Sequence, residues 1–266
     1  MSVKAVAPPA LLGSCILVAW ELTCRLFDVP GYLLPAPSVI ARELVENLLM
    51  LGRNTAVTMI EAVGGFLVAN TLAVLLAVAM VYIRHLDRAL LPFAIALKTT
   101  PIVAMAPLLI LWFGTGIAPK VAAAAVICFF PALVNSMRGF DALLEGEEDL
   151  FKVYGASKTK ILVKLRFQRA APYILSALKI SSSLAIVGAI VGEFVGANEG
   201  IGYVMLVASY HLNTPRMFAA LASAAAAGVA FYGVISIMDR KLVFWMDAPT
   251  DEIRLDSPRR GRQTVA

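Results

Sequence analysis

Apolar residues occur along this chain in long, nearly uncharged runs. Three of these runs, 62–83, 121–137 and 217–238, contain no charged residue at all. A helix that crosses a membrane needs about 20 consecutive, mostly apolar residues. The runs therefore predict about six spans, because lipid cannot satisfy open backbone groups and each run has to be helical. The predicted spans are 5–27, 62–83, 89–114, 121–137, 178–197 and 217–238.

Composition narrows the class of protein further. Of the 266 residues, 60% are apolar and 15% are charged, whereas soluble proteins average about 45–50% apolar and about 25% charged. A soluble domain of this length could not bury so much apolar surface. A disordered chain would contain far less of it. Both classes are excluded, and we predict an all-α, polytopic membrane protein.

The start of the chain has some features of a signal peptide, because Lys4 precedes an apolar run. No A-x-A cleavage pattern follows this run. The stretch 12–15 faintly resembles a lipoprotein box, but it begins too early for a full apolar region to precede it. We therefore expect the run to be retained as the first span.

The positions of the basic residues predict the orientation of the spans. With the N-terminus in the cytoplasm, the inside segments contain 17 Lys and Arg residues and the outside segments contain 5. Loops on the cytoplasmic side carry such an excess. Both termini are therefore expected in the cytoplasm, in a membrane domain of residues 1–246 followed by a disordered tail, 247–266. We expect a lipid environment and no nucleic acid partner.

Few residues suggest chemistry. The three cysteines, Cys15, Cys24 and Cys128, have no disulfide or zinc spacing. The two histidines, His85 and His211, fall in loops on opposite sides of the predicted membrane. No nucleophile–base set or HExxH motif is present in the sequence. We expect neither a catalytic residue nor a metal site.

Two segments outside the spans have helical character. The outer segment 30–53 places Ser38 where it can cap a helix through Ile40, Leu44 and Leu48. The cytoplasmic segment 138–179 is the longest loop.

The cytoplasmic loop predicts two short helices separated by Gly155. Apolar residues recur at helical spacing up to Tyr154, and Gly155 is the residue type that ends a helix in the left-handed conformation. Ser157 can cap a second helix, and Pro172 is expected to break the chain before span 5. Exposed charges with apolar knobs suit docking to a partner protein. A loop that lies on lipid headgroups is an equally simple interpretation of the same composition.

The same loop resembles the signature loop of ABC importer permeases. The similarity is closest to the nitrate, sulfonate and taurine branch, which also includes importers of pyrimidine and riboflavin-type compounds. It extends from about residue 33 to 245 and involves several stretches in the same order. These are 34–38, 101–108, 111–114, 129–131, 148–157, 171–174, 192–197 and 200–203.

Two departures from the family pattern involve four residues. The signature usually has Glu-Ala-Ala where this chain has Asp149, Leu150 and Phe151, and a proline where it has Gln168. The bulkier side chains would need a wider pocket in the partner, which implies a co-adapted ATPase.

The resemblance implies a fold and a set of partners. The fold is the type I ABC importer transmembrane fold in the bacterial inner membrane. A homodimer or pair of permeases would form the pathway, two cytoplasmic ATPases would bind below it, and an external binding protein, periplasmic or lipid-anchored, would deliver the solute. ATP would bind to the partner, with no cofactor in this chain, because Gly155 to Thr159 lacks the spacing of a phosphate loop. The implied coupling residues are Glu147, Glu148, Asp149, Gly155, Ala156 and Ser157.

Six residues inside the spans are candidates for the pathway or a gate: Pro101, Pro107, Gly188, Gly192, Glu193 and Gly196. The glycines recur every four residues, which suits close helix packing or a moving surface. An acid within a span is a candidate functional residue, and Glu193 could line the pathway or hold its helix by hydrogen bonds. The two prolines free backbone groups that need a cavity or protein nearby, although a harmless kink is equally simple.

Two other functions compete with the importer permease. An ion-coupled secondary transporter often has paired broken helices, and this sequence predicts only one. A membrane enzyme ranks last, because the reactive side chains are missing.

Overall fold

The computed structural model describes residues 3–83 and 85–243, which form helices and connecting loops without a β-strand. A π-helical turn, Leu162–Arg166, joins the helices Lys158–Ile161 and Phe167–Glu193. The predicted tail, 247–266, and Arg84 lie outside the described residues. The helices are α1 (Val3–Leu26), α2 (Pro37–Glu46), α3 (Leu48–Tyr82), α4 (Leu86–Thr99), α5 (Ile102–Phe113), α6 (Ala118–Asp141), α7 (Glu147–Val153), α8 (Lys158–Ile161), α9 (Phe167–Glu193), α10 (Ile201–Tyr210) and α11 (Thr214–Leu242).

Four helices are long and apolar enough to cross a membrane: α3, α6, the stretch from α8 through α9, and α11. The pair α4 and α5 passes this test only as a unit, which raises the number to five. Helix α1 has 24 residues, which at 1.5 Å per residue gives about 36 Å, more than the hydrocarbon thickness of about 30 Å. The all-helical membrane class is confirmed, and α1 as a sixth span stays a prediction.

Small residues bring the central helices unusually close together. Helix α6 packs against both α3 and α9. A Cβ atom on Gly188 of α9 would lie 2.5 Å from the Cα atom of Ala124. A Cβ atom on Gly65 of α3 would lie 2.8 Å from the backbone nitrogen of Ala125. Such contacts are open only to glycine, and small residues at helix interfaces permit this approach in membranes.

The predicted stripe of three glycines is only partly present. Gly188 and Gly192 both face α6, and a Cβ on Gly192 would lie 2.9 Å from the Cα of Lys120. Gly196 does not belong to the stripe, because α9 ends at Glu193 and Gly196 adopts a φ of +81° in the turn that follows. The sequence suggested a longer helix because residues 194–197 are also apolar or small.

One proline, Pro172, has an effect different from the prediction. Pro172 does not break the chain but lies inside α9. Packing against α6 holds the helix there, since a Cβ on Gly139 would lie 2.9 Å from the Cα of Ala170. Pro101 does interrupt span 3: it separates α4 from α5 at a bend of 103°. Pro107 lies within α5. A bend of 103° is too large for a harmless kink.

The segment 30–53 forms the predicted helix with a different start. Helix α2 begins at Pro37 with Ala36 as its N-cap. The hydroxyl of Ser38 donates a 2.8 Å hydrogen bond to Glu21 of α1 instead of capping the helix. Leu48 belongs to α3, not to α2. The tertiary contact with α1 therefore replaces the local cap.

We predict that Gly188→Ala lowers the stability of the chain by about 1–3 kcal/mol, the usual cost of overpacking. The added methyl group has no space against the backbone of α6. Gly233→Ala on α11 is the matched control, because nothing lies within 4 Å of a Cβ there. Thermal unfolding in detergent measures both variants. Equal melting temperatures would contradict the packing argument.

Candidate coupling loop and buried polar cluster

The loop between α6 and α9 has the predicted helix–glycine–helix form. Helix α7 ends at a turn in which Gly155 has a φ of +69°. The amide of Ala156 donates to the carbonyl of Phe151 at 2.9 Å, which satisfies an end carbonyl of α7. Ser157 then caps α8, since its side chain accepts a hydrogen bond from the amide of Lys160 at 3.3 Å.

Two of the predicted coupling residues face the helix bundle. The carboxylate of Glu147 accepts hydrogen bonds from Arg169, and Glu148 forms an ion pair with Arg166 at 2.5 Å. A second nitrogen of Arg166 donates to the carbonyl of Phe140 at the end of α6, at 2.9 Å. These bonds attach α7 to both flanking helices.

Both glutamates of α7 are ionised at neutral pH. The hydrogen bond from Arg169 holds the pKa of Glu147 below its ordinary value. Partial burial raises the pKa of Glu148, but hydrogen bonds from Lys152 and Arg166 outweigh this effect and its pKa is also lowered. The ion pairs are therefore present above the ordinary carboxyl pKa and are lost only as the pH falls through the lowered values.

The opposite side of α7 is open. Val153 and Tyr154 are each 83% exposed, and Leu150 is 56% exposed. The side chain of Asp149 is 79% exposed. Gly155 and Ser157 are exposed and Ala156 is half-buried. The structure thus separates the predicted set: Glu147 and Glu148 bond to arginines beyond α7, whereas the other four lie at or near the surface.

Glu193 occupies a closed polar cluster at the other end of α9. Its side chain is fully buried. One carboxylate oxygen accepts a 2.6 Å hydrogen bond from the hydroxyl of Thr58, and the other accepts from the amide of Gly202. This enclosure favours the hydrogen-bonding role over the alternative that Glu193 lines an open pathway.

The cluster caps the start of α10, a short helix that the sequence did not predict. Three consecutive amides at residues 200–202 donate to side chains of other helices. The acceptors are Asn54 at 2.8 Å, Thr58 at 2.8 Å, and Glu193. A helix start leaves its first amides unpaired. Here α3 and α9 satisfy them, in a region where water is scarce.

The sequence pattern did not indicate two charged members of the cluster, Glu61 and Lys120. The Lys120 ammonium lies 3.5 Å from a carboxylate oxygen of Glu61, with side-chain exposures of 8% and 1%. Both residues stand at the edges of apolar runs, so the pattern suggested solvated flanks, with Lys120 counted among the outer basic residues. The packing of α3 against α6 buries both side chains inside the helix bundle.

Three pathway candidates, Pro101, Pro107 and Gly196, do not join this cluster. Pro101 and Pro107 are exposed on the bent pair α4–α5. Gly196 is close to α5, since a Cβ there would lie 3.4 Å from Ile110. Within 3–83 and 85–243, no group of three His, Cys, Asp or Glu side chains could hold a metal ion.

Comparisons with known proteins agree with this architecture. Residues 69–244 match the family described as binding-protein-dependent transport system inner membrane components. A probable ABC transporter permease of Haemophilus influenzae is 33% identical over 80% of this chain and 87% of its own length. The formylaminopyrimidine transport permease ThiX of Halalkalibacterium halodurans is 32% identical over 89% of this chain and 95% of its own length.

A solved structure shows the same fold. It is an inward-facing form of the MetNI methionine ABC transporter, with a TM-score of 0.55 and 20% identity. The match covers 79% of this chain and 97% of that one. The fold is therefore that of a type I ABC importer permease.

These findings define an integral membrane subunit of a transport system. The chain belongs to the family of binding-protein-dependent transport system inner membrane components. It is a multi-pass inner-membrane permease subunit of an ABC importer, not an enzyme. The family pairs its permeases with an ATPase and a substrate-binding protein.

We predict that Glu193→Ala reduces both stability and uptake. Removing the carboxylate leaves the hydroxyl of Thr58 and the amide of Gly202 without their buried acceptor, and a buried donor left unsatisfied costs about 1–3 kcal/mol. Folded yield in detergent and solute uptake in vesicles measure the effect. Glu199→Ala, at an exposed acid six residues later, is the control. Wild-type uptake with normal yield in Glu193→Ala would refute the role of Glu193.

Proposed function

We propose that two copies of this chain form the translocation pathway of the importer, with two ATPases bound on the side of α7. The open face of α7 is the observation that carries this proposal. Leu150, Val153 and Tyr154 expose apolar surface next to the charged side chain of Asp149. A short helix with such a face suits insertion into a groove of a partner. ATP binds and is hydrolysed on that partner in this proposal.

Helix α7 is also presented rigidly enough for this role. Its inner edge is bonded to Arg166 and Arg169, and Gly155 sets the direction of the chain behind it. Closure of the ATPases would push on the open face and move the spans between inward-facing and outward-facing arrangements. This is a two-state movement driven by a packing contact.

We further propose that the solute is a small heteroaromatic compound of the pyrimidine or riboflavin type. The riboflavin permease RibX of Chloroflexus aurantiacus is 33% identical over 86% of this chain, similar to the value for ThiX. The putative aliphatic sulfonate permease SsuC of Bacillus subtilis is 27% identical. An external binding protein, periplasmic or lipid-anchored, would deliver the solute and set most of the selectivity.

We predict that Gly155→Val prevents capture of the ATPase. A β-branched residue at a φ of +69° is strongly disfavoured, so the chain behind α7 has to refold. The tagged chain is purified from its native membrane in mild detergent, and the ATPase that co-purifies is quantified. Gly116→Val is the matched control, because Gly116 is also exposed with a positive φ but lies between α5 and α6.

The capture experiment distinguishes the importer permease from the ion-coupled secondary transporter. Recovery of an ATPase with wild type and Gly116→Val, but not with Gly155→Val, supports the coupling loop. A wild-type preparation without any ATPase that still shows gradient-driven uptake in vesicles would favour the ion-coupled secondary transporter.

The substrate class is tested by competition for uptake. Vesicles that contain the complete complex are given labelled formylaminopyrimidine or riboflavin. Unlabelled competitors are then added, and the remaining uptake of label is measured. We expect heteroaromatic compounds to compete at concentrations at least about tenfold lower than an alkyl sulfonate, because unpaired polar groups in a fitted site are costly. Stronger competition by the sulfonate would overturn this assignment.

A further inference from the structure

The acidic edge of α7 is shielded from the side on which a partner would bind. The side chains of Glu147 and Arg169 are 22% and 34% exposed, and those of Glu148 and Arg166 are 33% and 18% exposed. Ion pairs on an open surface contribute little, but these pairs are partly buried and their arginines use several nitrogens. They are therefore placed to hold α7 rather than to contact the ATPase.

Arg166 joins three elements at one point. It bonds to Glu148 of α7 and to the carbonyl of Phe140 at the end of α6. The ring of Phe140 is buried and packs edge-on against Phe167 at 5.0 Å between centroids. Arg166 itself ends the π-helical turn, and such turns are frequent at functional sites. A displacement of α7 thus acts on the packed ends of α6 and α9.

The helix that carries both arginines extends to the buried polar cluster. It is continuous from Lys158 to Glu193, 36 residues, which corresponds to about 54 Å at 1.5 Å per residue. Glu193 at its far end caps the start of α10. One rod therefore connects the coupling loop with the turn between α9 and α10.

We propose that the pairs Glu147–Arg169 and Glu148–Arg166, together the loop clamp, transmit the movement of α7 to this rod. Both glutamates act as positioning residues within the chain. Without the clamp, α7 would follow the ATPase while the spans stay behind, so ATP would be hydrolysed without transport. This inference rests on the proposed function, because it requires an ATPase that moves α7.

The test uses the complete complex with ATPase and binding protein in vesicles. We compare Arg169→Glu, Glu147→Arg and the double swap Glu147→Arg/Arg169→Glu. Three quantities are measured: the ATPase that co-purifies, the uptake rate, and the ATP hydrolysed per solute molecule transported. Lys164→Glu is the control for reversed charge, because Lys164 is exposed and forms no ion pair within the described part of the chain.

Loss of coupling without loss of assembly is the expected result. Each single variant retains its ATPase, but uptake falls at least about tenfold and the ATP used per solute rises by a similar factor, because the partly buried partner is left facing a like charge. The double swap restores both quantities to within about threefold of wild type, since the opposite charges again face each other. Lys164→Glu behaves as wild type.

Three results would overturn the clamp. Normal uptake and coupling in Arg169→Glu would show that the pair transmits nothing. Single variants that lose the ATPase, with no recovery in the swap, would show that these residues contact the ATPase directly. A swap that assembles but stays uncoupled would exclude the specific pairing. A wild-type chain that captures no ATPase would instead overturn the proposed function, which separates the two failures.

Discussion

The close approach of α6 to α3 and α9 is the constraint on which the other features of this structure depend. Membrane helices gain little from the hydrophobic effect among themselves, so backbone proximity and dispersion have to hold them. Gly65, Gly139 and Gly188 provide this proximity by leaving no side chain between the helices. Gly192 extends it to Lys120. The side chains of Glu61, Lys120 and Glu193 are buried beside this seam.

Those charges carry a large cost if they are unpaired, and their arrangement follows from it. A charged side chain at the centre of a membrane helix costs about 2.5–3.5 kcal/mol on insertion scales. Lys120 faces Glu61, and Glu193 receives a hydroxyl and an amide. The cluster thereby supplies acceptors for a helix start inside the bundle, at α10, which lipid could not supply. The buried acid thus accepts hydrogen bonds from α3 and from the start of α10.

Helix α9 connects the candidate coupling loop with the buried polar cluster. One end is attached to the loop clamp and the other to the polar cluster, and glycine contacts near both ends pack the helix against α6. Packed elements of this kind shift between discrete arrangements rather than bend continuously. A movement at α7 is therefore expected to reach the turn at 194–200 as a displacement of a whole helix. Helix α5 lies beside that turn, since a Cβ on Gly196 would lie 3.4 Å from Ile110.

Much of this protein was determined by its sequence alone. Apolar runs predicted the membrane class and the main spans, and Gly155 and Ser157 predicted the coupling loop, because these signals depend on residue type and local backbone preference. Tertiary structure decided the rest. Ser38 bonds to α1, Pro172 stays helical, and Glu61 and Lys120 meet inside the bundle because packing between distant helices outweighs local preference. The same reason explains why Glu147 and Glu148 face inward: their arginine partners lie about twenty residues later, and only the fold brings them together.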